Sequence, residues 1–187
     1  VKHLRTSLFC PWCKVQIASV IKNSAFRNII ETVAKNFLNP QKSFNELIDP
    51  LQKDLEGGIY RGEKHVFIGY TENGKKEGSG TLAVDNEIYQ CVWKNDLKEG
   101  KGVWIRKSGT IINGLWSNDR LQQQVEIKFA NGDFYKGEID SSNFKPFKFH
   151  GRGVYKFRIG VIYDGNYKNG LREGFGKYSY ENGEEYQ

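Results

Sequence analysis

Apolar and polar residues alternate in short runs along the chain from residue 57 onward. In the run Tyr89–Trp93 (YQCVW), the first, third and fifth side chains would share one face of a β-strand. Turn-forming residues separate such runs, as in the pairs Asn131-Gly132 and Asn182-Gly183. The pattern predicts short antiparallel strands joined by tight turns.

The pattern before residue 57 has a different period. Residues 24–38 and 43–54 place apolar side chains three and four positions apart, which predicts two short α-helices. Asn39-Pro40 would end the first helix, because proline lacks the backbone donor. We therefore predict a helical segment at 1–56 and a β-hairpin array at 57–187, a mainly β fold preceded by a small helical segment.

The array is repetitive. Runs open at Phe67, Tyr89, Ile112, Tyr135 and Tyr163, so successive runs start 22 to 28 residues apart, and Tyr186 would open a sixth. The other landmarks are glycines two positions into the run, a later Gly-x-Gly, and an apolar residue after it. The full repeat framework is Phe67, Gly69, Gly78, Gly80, Tyr89, Trp93, Gly100, Gly102, Trp104, Gly114, Trp116, Tyr135, Gly137, Gly151, Gly153, Tyr155, Tyr163, Gly165, Gly174, Gly176 and Tyr178.

Each repeat is predicted to be a strand, a loop, a second strand opened by Gly-x-Gly, and a tight turn. The glycine between two aromatics would let a ring or backbone of the neighbouring unit approach closely. A single hairpin is marginally stable in water, so the hairpins should stack into an elongated array. Its aromatic face is the expected docking surface for other proteins.

This pattern resembles the MORN repeat (membrane occupation and recognition nexus). Residues 163–176 (YDGNYKNGLREGFG) are the most similar segment, followed by residues 94–102. The resemblance implies a structural scaffold or protein-interaction module in a cytoskeletal or ciliary assembly, such as an axonemal radial spoke. The family name also implies an alternative, an adaptor that binds membrane phospholipids.

Three departures from the repeat stand out. Gln123 and Val125 occupy the Gly-x-Gly positions of the third unit, which should be looser, and Cys91 replaces a glycine in the second. The fourth unit carries an insertion at residues 143–149. Its apolar residues would be exposed at a loop tip, so they are the expected partner contact: Phe144, Pro146, Phe147 and Phe149.

Cys10-Pro-Trp-Cys13 is the only motif typical of a metal or redox site. Cys10 and Cys13 could supply two of four zinc ligands, which leaves the site incomplete, or form a redox pair, or be structural. The motif and the apolar helix after Asn23 resemble the last third of a RING-finger or U-box domain. That resemblance implies an alternative function, a ubiquitin ligase in which the repeats bind substrate and missing upstream residues complete the zinc sites.

The remaining composition argues against catalysis and nucleic-acid binding. No acid pair or Ser-His-acid set is apparent, so we expect no enzyme and no cofactor. The net charge of +6 is spread along the chain, whereas nucleic-acid sites concentrate it. Glu77, Glu99 and Glu173 should form a solvated charged edge with nearby lysines. Three cysteines and no long apolar segment predict an intracellular location. Within the cell, the MORN resemblance implies the cytoplasm or cytoskeleton, including the axoneme of a cilium.

Overall fold

The computed structural model describes residues 58–62, 65–142 and 148–187, which form twelve β-strands. The predicted helices at 24–38 and 43–54, like Cys10 and Cys13, lie outside the described residues. The strands are β1 (Gly58–Arg61), β2 (His65–Glu72), β3 (Lys75–Val84), β4 (Glu87–Lys94), β5 (Leu97–Ile105), β6 (Ile111–Ser117), β7 (Arg120–Lys128), β8 (Phe134–Asp140), β9 (Lys148–Lys156), β10 (Ile162–Lys168), β11 (Leu171–Ser179) and β12 (Glu185–Tyr186).

All twelve strands belong to one antiparallel sheet. Their order in the sheet is their order in the sequence, so each strand pairs with the strands before and after it. The described part of the chain contains no helix. The prediction of stacked antiparallel hairpins is therefore confirmed for this part, and its open sheet has strand edges only at its two ends.

Two kinds of turn alternate along the sheet. Two-residue turns at 73–74, 95–96, 118–119 and 169–170 join the strands within a repeat, and both residues of each have positive φ. Asn, Asp and Gly tolerate this left-handed conformation, which suits tight hairpins. The loop predicted inside each repeat is therefore wrong for these four units, because the chain reverses within two residues.

Wider turns join most successive repeats. In the turn at 106–110, Arg106 N–H donates to Thr110 O and Gly109 N–H donates to Arg106 O, at 2.9 and 2.8 Å. The same two hydrogen bonds recur at 129–133, 157–161 and 180–184. The predicted turn glycines are thus confirmed, with φ of 82° at Gly109 and 94° at Gly132.

The Gly-x-Gly elements lie inside the second strand of each hairpin and do not open it. In the first hairpin, Gly69 pairs with Gly80 but the next residue, Tyr70, pairs with Glu77, so Gly78 and Ser79 are extra. Gly78 adopts φ 67°, a conformation that favours glycine. The same shift recurs in β4–β5, β6–β7, β8–β9 and β10–β11. Each hairpin therefore carries a two-residue bulge, and bulges bend the strand.

Two parallel rows of residues cross the sheet through the strand register. One row is apolar: Phe67, Leu82, Tyr89, Trp104, Ile112, Ile127, Tyr135, Tyr155, Tyr163, Tyr178 and Tyr186. Beside it runs the glycine row: Gly69, Gly80, Cys91, Gly102, Gly114, Val125, Gly137, Gly153, Gly165 and Gly176. The framework identified in the sequence thus becomes two adjacent lines on one face of the sheet.

Aromatic rings from the apolar row lie over the glycine row. A Cβ at Gly153 would come within 2.6 Å of Tyr135 Cε2, and a Cβ at Gly137 within 2.7 Å of Tyr135 Oη. The Tyr135 hydroxyl reaches past these glycines and donates to Glu138 O at 2.6 Å. The predicted close approach is confirmed, but here the ring comes from the same hairpin. At Gly102 a ring of the following repeat, Trp116, makes the approach.

The third unit replaces this arrangement by a matched change of volume. Ile112 stands where the other repeats have a ring, and Val125 stands in the glycine row. Both side chains are buried, with 0% and 4% exposure. The hairpin keeps the shared register and bulge. The predicted distortion is seen only in its pairing with the next repeat, where the β7–β8 ladder ends at Gln124.

The second unit accommodates Cys91 by turning its ring away. Tyr89 stacks on Trp104 with centroids 5.6 Å apart, and its hydroxyl donates to Glu87 Oε2 at 2.7 Å. That orientation leaves room in the glycine row for the Cys91 sulfur. Burial raises the pKa of the Cys91 thiol to about 12, which keeps it protonated and unreactive at neutral pH. Cys91 is therefore a packing residue, as its position in a repeat strand suggested.

The link between ring and glycine predicts a measurable coupling. Gly153→Val should lower the free energy of unfolding by about 2–3 kcal/mol, because the new side chain overlaps the Tyr135 ring. Adding Tyr135→Ile recreates the Ile112 and Val125 combination, so the double variant should lose about 1 kcal/mol less than the two single losses together. Urea unfolding followed by tryptophan fluorescence measures this. Ser79→Val, at an exposed Gly-x-Gly position, is the control, and simple additivity would contradict the ring-over-glycine explanation.

Candidate functional site

The aromatic face of the sheet, defined by the apolar row and its neighbours, is packed against itself. Trp93, Trp104 and Trp116 expose 2% of their surface or less. Trp104 packs edge-on against Trp116 at 6.3 Å, and further ring contacts extend to Tyr167. These rings bury one another by packing edge-on and face to face. The expectation that they contact partner proteins is therefore wrong for the buried rings. They stabilise the array.

One position near the start of the second strand of each hairpin points onto this face. The register places Lys76, Lys98, Leu121, Phe149 and Arg172 there, so three of the five hairpins put a cation over the rings. The Lys98 ammonium lies 5.0, 5.4 and 5.2 Å from the ring centroids of Tyr89, Trp93 and Trp116. Such contacts stabilise a partly desolvated cation by about 1–2 kcal/mol.

The two-residue turns lie along one side of the sheet, at the strand ends, and side-chain contacts connect two of them to the preceding repeat. Asp96 Oδ1 accepts hydrogen bonds from the backbone N–H and the ammonium of Lys76, at 2.9 and 2.7 Å. Asp119 makes the same two contacts with Lys98 in the next repeat. These bonds, above all that from the Lys76 side chain, lower the pKa of the Asp96 carboxyl. Each turn is thereby fixed to the preceding repeat.

The glutamates beside these turns bind backbone. Glu77 Oε2 accepts from Asn95 N–H at 2.9 Å, and Glu99 Oε2 accepts from Asn118 N–H at 2.9 Å. Their prediction as a solvated edge paired with lysines is therefore wrong, because the turn amides that type I′ geometry leaves free need an acceptor. Only Glu173 matches it, with Lys168 3.2 Å away.

On the other side of the sheet, where the wider turns join the repeats, a buried carboxylate connects two of these turns. Asp133 accepts hydrogen bonds from the Tyr155 hydroxyl, the Arg158 N–H and the Asn131 amide, each at 2.8 Å. Burial acts to raise the pKa of Asp133, but these hydrogen bonds together lower it. The carboxylate thus joins the turns of two successive repeats in its charged form. Sequence reasoning missed it, since Asp133 follows the Asn-Gly pair and looks like an ordinary turn residue.

Of the four residues predicted to contact a partner, the structure describes Phe149. Phe144, Pro146 and Phe147 lie outside the described residues. Phe149 is in β9, and its ring stacks on Tyr135 at 4.0 Å and packs edge-on against Tyr167 at 5.4 Å. Phe149 is therefore half-buried and packs against the core, at the position where Lys98 lies in another repeat, and the premise of an exposed loop-tip ring does not hold for it.

The face opposite the aromatic face differs between the two halves of the sheet. Between β2 and β6 it exposes Tyr70, Val92, Leu97 and Leu115, with exposures of 57%, 41%, 37% and 48%. Ile68 and Ile88 are on the same face but are buried, so only part of its apolar surface is exposed. Between β7 and β12 the face carries ion pairs, including Lys136–Glu126 at 2.9 Å, Arg152–Asp164 at 3.4 Å and Lys177–Glu185 at 2.5 Å, and its exposed apolar residues, Leu171 and Phe175, are confined to β11.

The described residues offer no metal centre or membrane helix. Within 58–62, 65–142 and 148–187, no three His, Cys, Asp or Glu side chains are grouped to hold a metal ion. No helix in this part of the chain is long and apolar enough to cross a membrane. The possible zinc ligands Cys10 and Cys13 lie outside the described residues and stay a prediction.

Comparison with known protein families identifies the repeats. The family model described as MORN repeat matches residues 68–83, 89–111, 148–161 and 163–185. Four segments of this chain are MORN repeats. A search of curated proteins found no match. The resemblance of residues 1–56 to a RING-finger or U-box domain gained no support from the family comparison.

The MORN segments leave residues 112–147 unmatched, yet β6–β8 continue the same sheet there. This stretch contains Ile112 and Val125 in place of the ring and glycine of a regular MORN repeat. Tertiary packing therefore preserves the hairpin where the sequence signature has been lost, because the two changes compensate each other in volume.

Lys98 provides a test of the caged cation. Lys98→Met should lower the free energy of unfolding by about 1–2 kcal/mol, because methionine fills the space but loses Asp119 and the ring contacts of the charge. Lys101→Met, on the same strand but exposed, should change it by less than about 0.5 kcal/mol. Urea unfolding measures both, and equal effects would show that the cage contributes nothing.

Phe149 provides a second matched pair. Phe149→Ser should lower the free energy of unfolding by about 3 kcal/mol, since it removes a ring that packs against the core. Phe175→Ser is the control, because the Phe175 side chain is 93% exposed, and its loss should stay below about 0.5 kcal/mol. Thermal and urea unfolding would both report the difference. A Phe149→Ser protein as stable as the parent would show that this ring adds nothing to the core.

Proposed function

We propose that this chain is a structural scaffold that holds other proteins in a larger cytoskeletal or ciliary assembly, of the radial-spoke kind. MORN repeats support a repeat-based protein-interaction or membrane-binding module. The observation that carries the choice is the pairing of a fixed framework with a bounded exposed apolar area, formed by Tyr70, Val92, Leu97 and Leu115. The cytoskeletal or ciliary setting rests on the family resemblance.

The framework suits a scaffold because its repeats are cross-linked at both ends of their strands. Carboxylates of successive repeats, Asp96 and Asp119 at one end and Asp133 at the other, bind backbone amides of their neighbours. Interactions of this kind hold one hairpin in fixed register with the next, as nearest-neighbour contacts do in repeat proteins. Surface residues on different hairpins therefore keep constant spacing, which a multi-hairpin binding surface requires.

The charge pattern across β7–β12 favours a protein partner over a lipid surface. Binding to anionic membranes needs a local surplus of cations, each adding about 1 kcal/mol near the surface. The opposite face from β7 to β12 instead alternates acids with bases, as in Lys136–Glu126 and Arg152–Asp164. We also propose that the chain acts inside the cell, is not an enzyme and does not bind nucleic acid. The even spread of the +6 net charge supports the last point.

Affinity capture tests the proposed function. The tagged full chain, added to extract of the cells that make it, should retain a reproducible set of proteins, and proximity labelling in those cells should mark cytoskeletal or axonemal proteins. Gly153→Val, at a temperature where thermal unfolding shows the variant unfolded and the parent folded, should lose the same set. Retention of identical proteins by that variant, or labelling of proteins from no common assembly, would contradict the scaffold.

Lipid binding is measured in parallel. Flotation with vesicles containing about one fifth phosphatidylserine, at physiological salt, should leave the chain in the unbound fraction, because acids and bases alternate across β7–β12 and leave no surplus of cations there. Flotation of the chain together with an empty affinity capture would favour the membrane-adaptor function.

A further inference from the structure

The exposed residues Tyr70, Val92, Leu97 and Leu115 form an apolar strip on the face opposite the aromatic face. Tyr70 lies in β2, Val92 in β4 and Leu115 in β6, each at the position just after the glycine row. Leu97 lies in β5, opposite Lys94 in the register. The strip therefore runs across the strands, with Tyr70, Val92 and Leu115 on every second strand and Leu97 on β5. Ser79 of β3 and Lys101 of β5 lie opposite Val92 and Leu115 on the intervening strands.

The spacing of the strip matches a helix. Neighbouring strands lie about 4.8 Å apart, so side chains two strands apart are separated by about 9.6 Å. Residues seven positions apart on an α-helix lie on the same face, about 10.5 Å apart. A helix laid across β2–β6 would thus set successive apolar residues of a heptad pattern against Tyr70, Val92 and Leu115. The full distance of about 19 Å corresponds to about 13 helical residues.

Cations without an acidic partner surround one end of the strip. Lys101 is opposite Leu115 in the register, Lys94 is opposite Leu97, and Arg120 is in the adjacent strand. All three side chains are exposed, and no ion pair of theirs occurs among the described residues. A partner lying on this end should therefore carry acidic side chains.

The local acids cancel only part of this charge. Glu99 is beside Val92 and Glu77 is opposite Tyr70, and each accepts a backbone N–H, from Asn118 and Asn95, without losing its own charge. Lys94, Lys101 and Arg120 therefore outnumber the acids near Leu115. Glu72 lies at the other end of the strip, opposite Lys75. The positive charge is thus concentrated near Leu115, and the Tyr70 end is close to neutral.

We propose that the apolar strip binds an amphipathic α-helix of a partner protein, laid across β2–β6 with acidic side chains at its Leu115 end. This inference rests on the proposed function as a protein-interaction module and names the surface and the class of partner. The helix would bury Tyr70, Val92 and Leu115 in its apolar face, and its acids would pair with Lys101 and Arg120.

A synthetic helix provides the probe. A fluorescein-labelled peptide of about 18 residues carries leucines at heptad spacing and glutamates flanking them at one end, and a second peptide has lysines in place of those glutamates. Fluorescence anisotropy with the full chain should show the glutamate peptide binding at least about tenfold more tightly than the lysine peptide. Equal binding of both peptides would overturn the charge assignment.

Two triple variants test the position. Tyr70→Ser with Val92→Ser and Leu115→Ser should weaken binding of the glutamate peptide by about tenfold or more, because the variant removes the apolar contact. The matched control replaces three exposed apolar residues elsewhere, Ile159→Ser with Leu171→Ser and Phe175→Ser, and should stay within about twofold. Circular dichroism confirms that both variants fold. Binding that is unchanged in the strip variant would overturn the proposal.

A charge reversal separates this proposal from the alternatives. In Lys101→Glu with Arg120→Glu, preference should invert toward the lysine peptide. Anionic vesicles that bind the parent and not the strip variant, with neither peptide binding, would assign the strip to lipid and overturn it. In affinity capture, a strip variant that retains every protein of the parent would refute the strip and leave the scaffold function standing. A parent that retains nothing would refute the scaffold itself.

Discussion

The structure depends on aromatic rings that lie over the glycine row, where most residues have no side chain. A Cβ at Gly153 would overlap the Tyr135 ring, and a Cβ at Gly137 would overlap the Gly153 backbone and the Tyr135 hydroxyl. This contact lets a single sheet bury its own large side chains, with Tyr135 and Trp104 at 0% exposure. Where the ring is lost, as at Ile112, the glycine is lost too, and Val125 fills the volume. Close packing is therefore conserved through paired changes.

A second constraint follows from the first. The hairpins from β2 to β11 each have a bulge, and all but β8–β9 have a left-handed two-residue turn. Such turns leave backbone amides that need acceptors. Glu77 and Glu99 supply them from the preceding repeat, and Asp96 and Asp119 return contacts to the lysines there. The lysine ammonium then lies over aromatic rings, as at Lys98. Turn, ion pair and core are thus one connected unit that repeats along the sheet.

With one face occupied by these internal contacts, the sheet formed by the described residues offers a partner mainly its opposite face. That face is apolar and cationic across β2–β6 and balanced in charge across β7–β12. The difference gives an otherwise repetitive array one distinct surface. Leu115 stands where later repeats have Glu138 and Asn166, which is how a repeat protein can acquire specificity without changing its framework.

The sequence by itself determined the hairpin array, its repeat length and the framework residues, since alternation, turn pairs and glycine spacing are local properties of the chain. It did not determine that Gly78 forms a bulge, that Glu99 accepts a turn amide, or that Phe149 packs on Tyr135. Those contacts join residues from different strands, so they depend on register and ring orientation, which the tertiary structure alone decides. The same reason explains the buried aromatic face: alternation shows which side chains share a face, but only packing shows whether that face is covered.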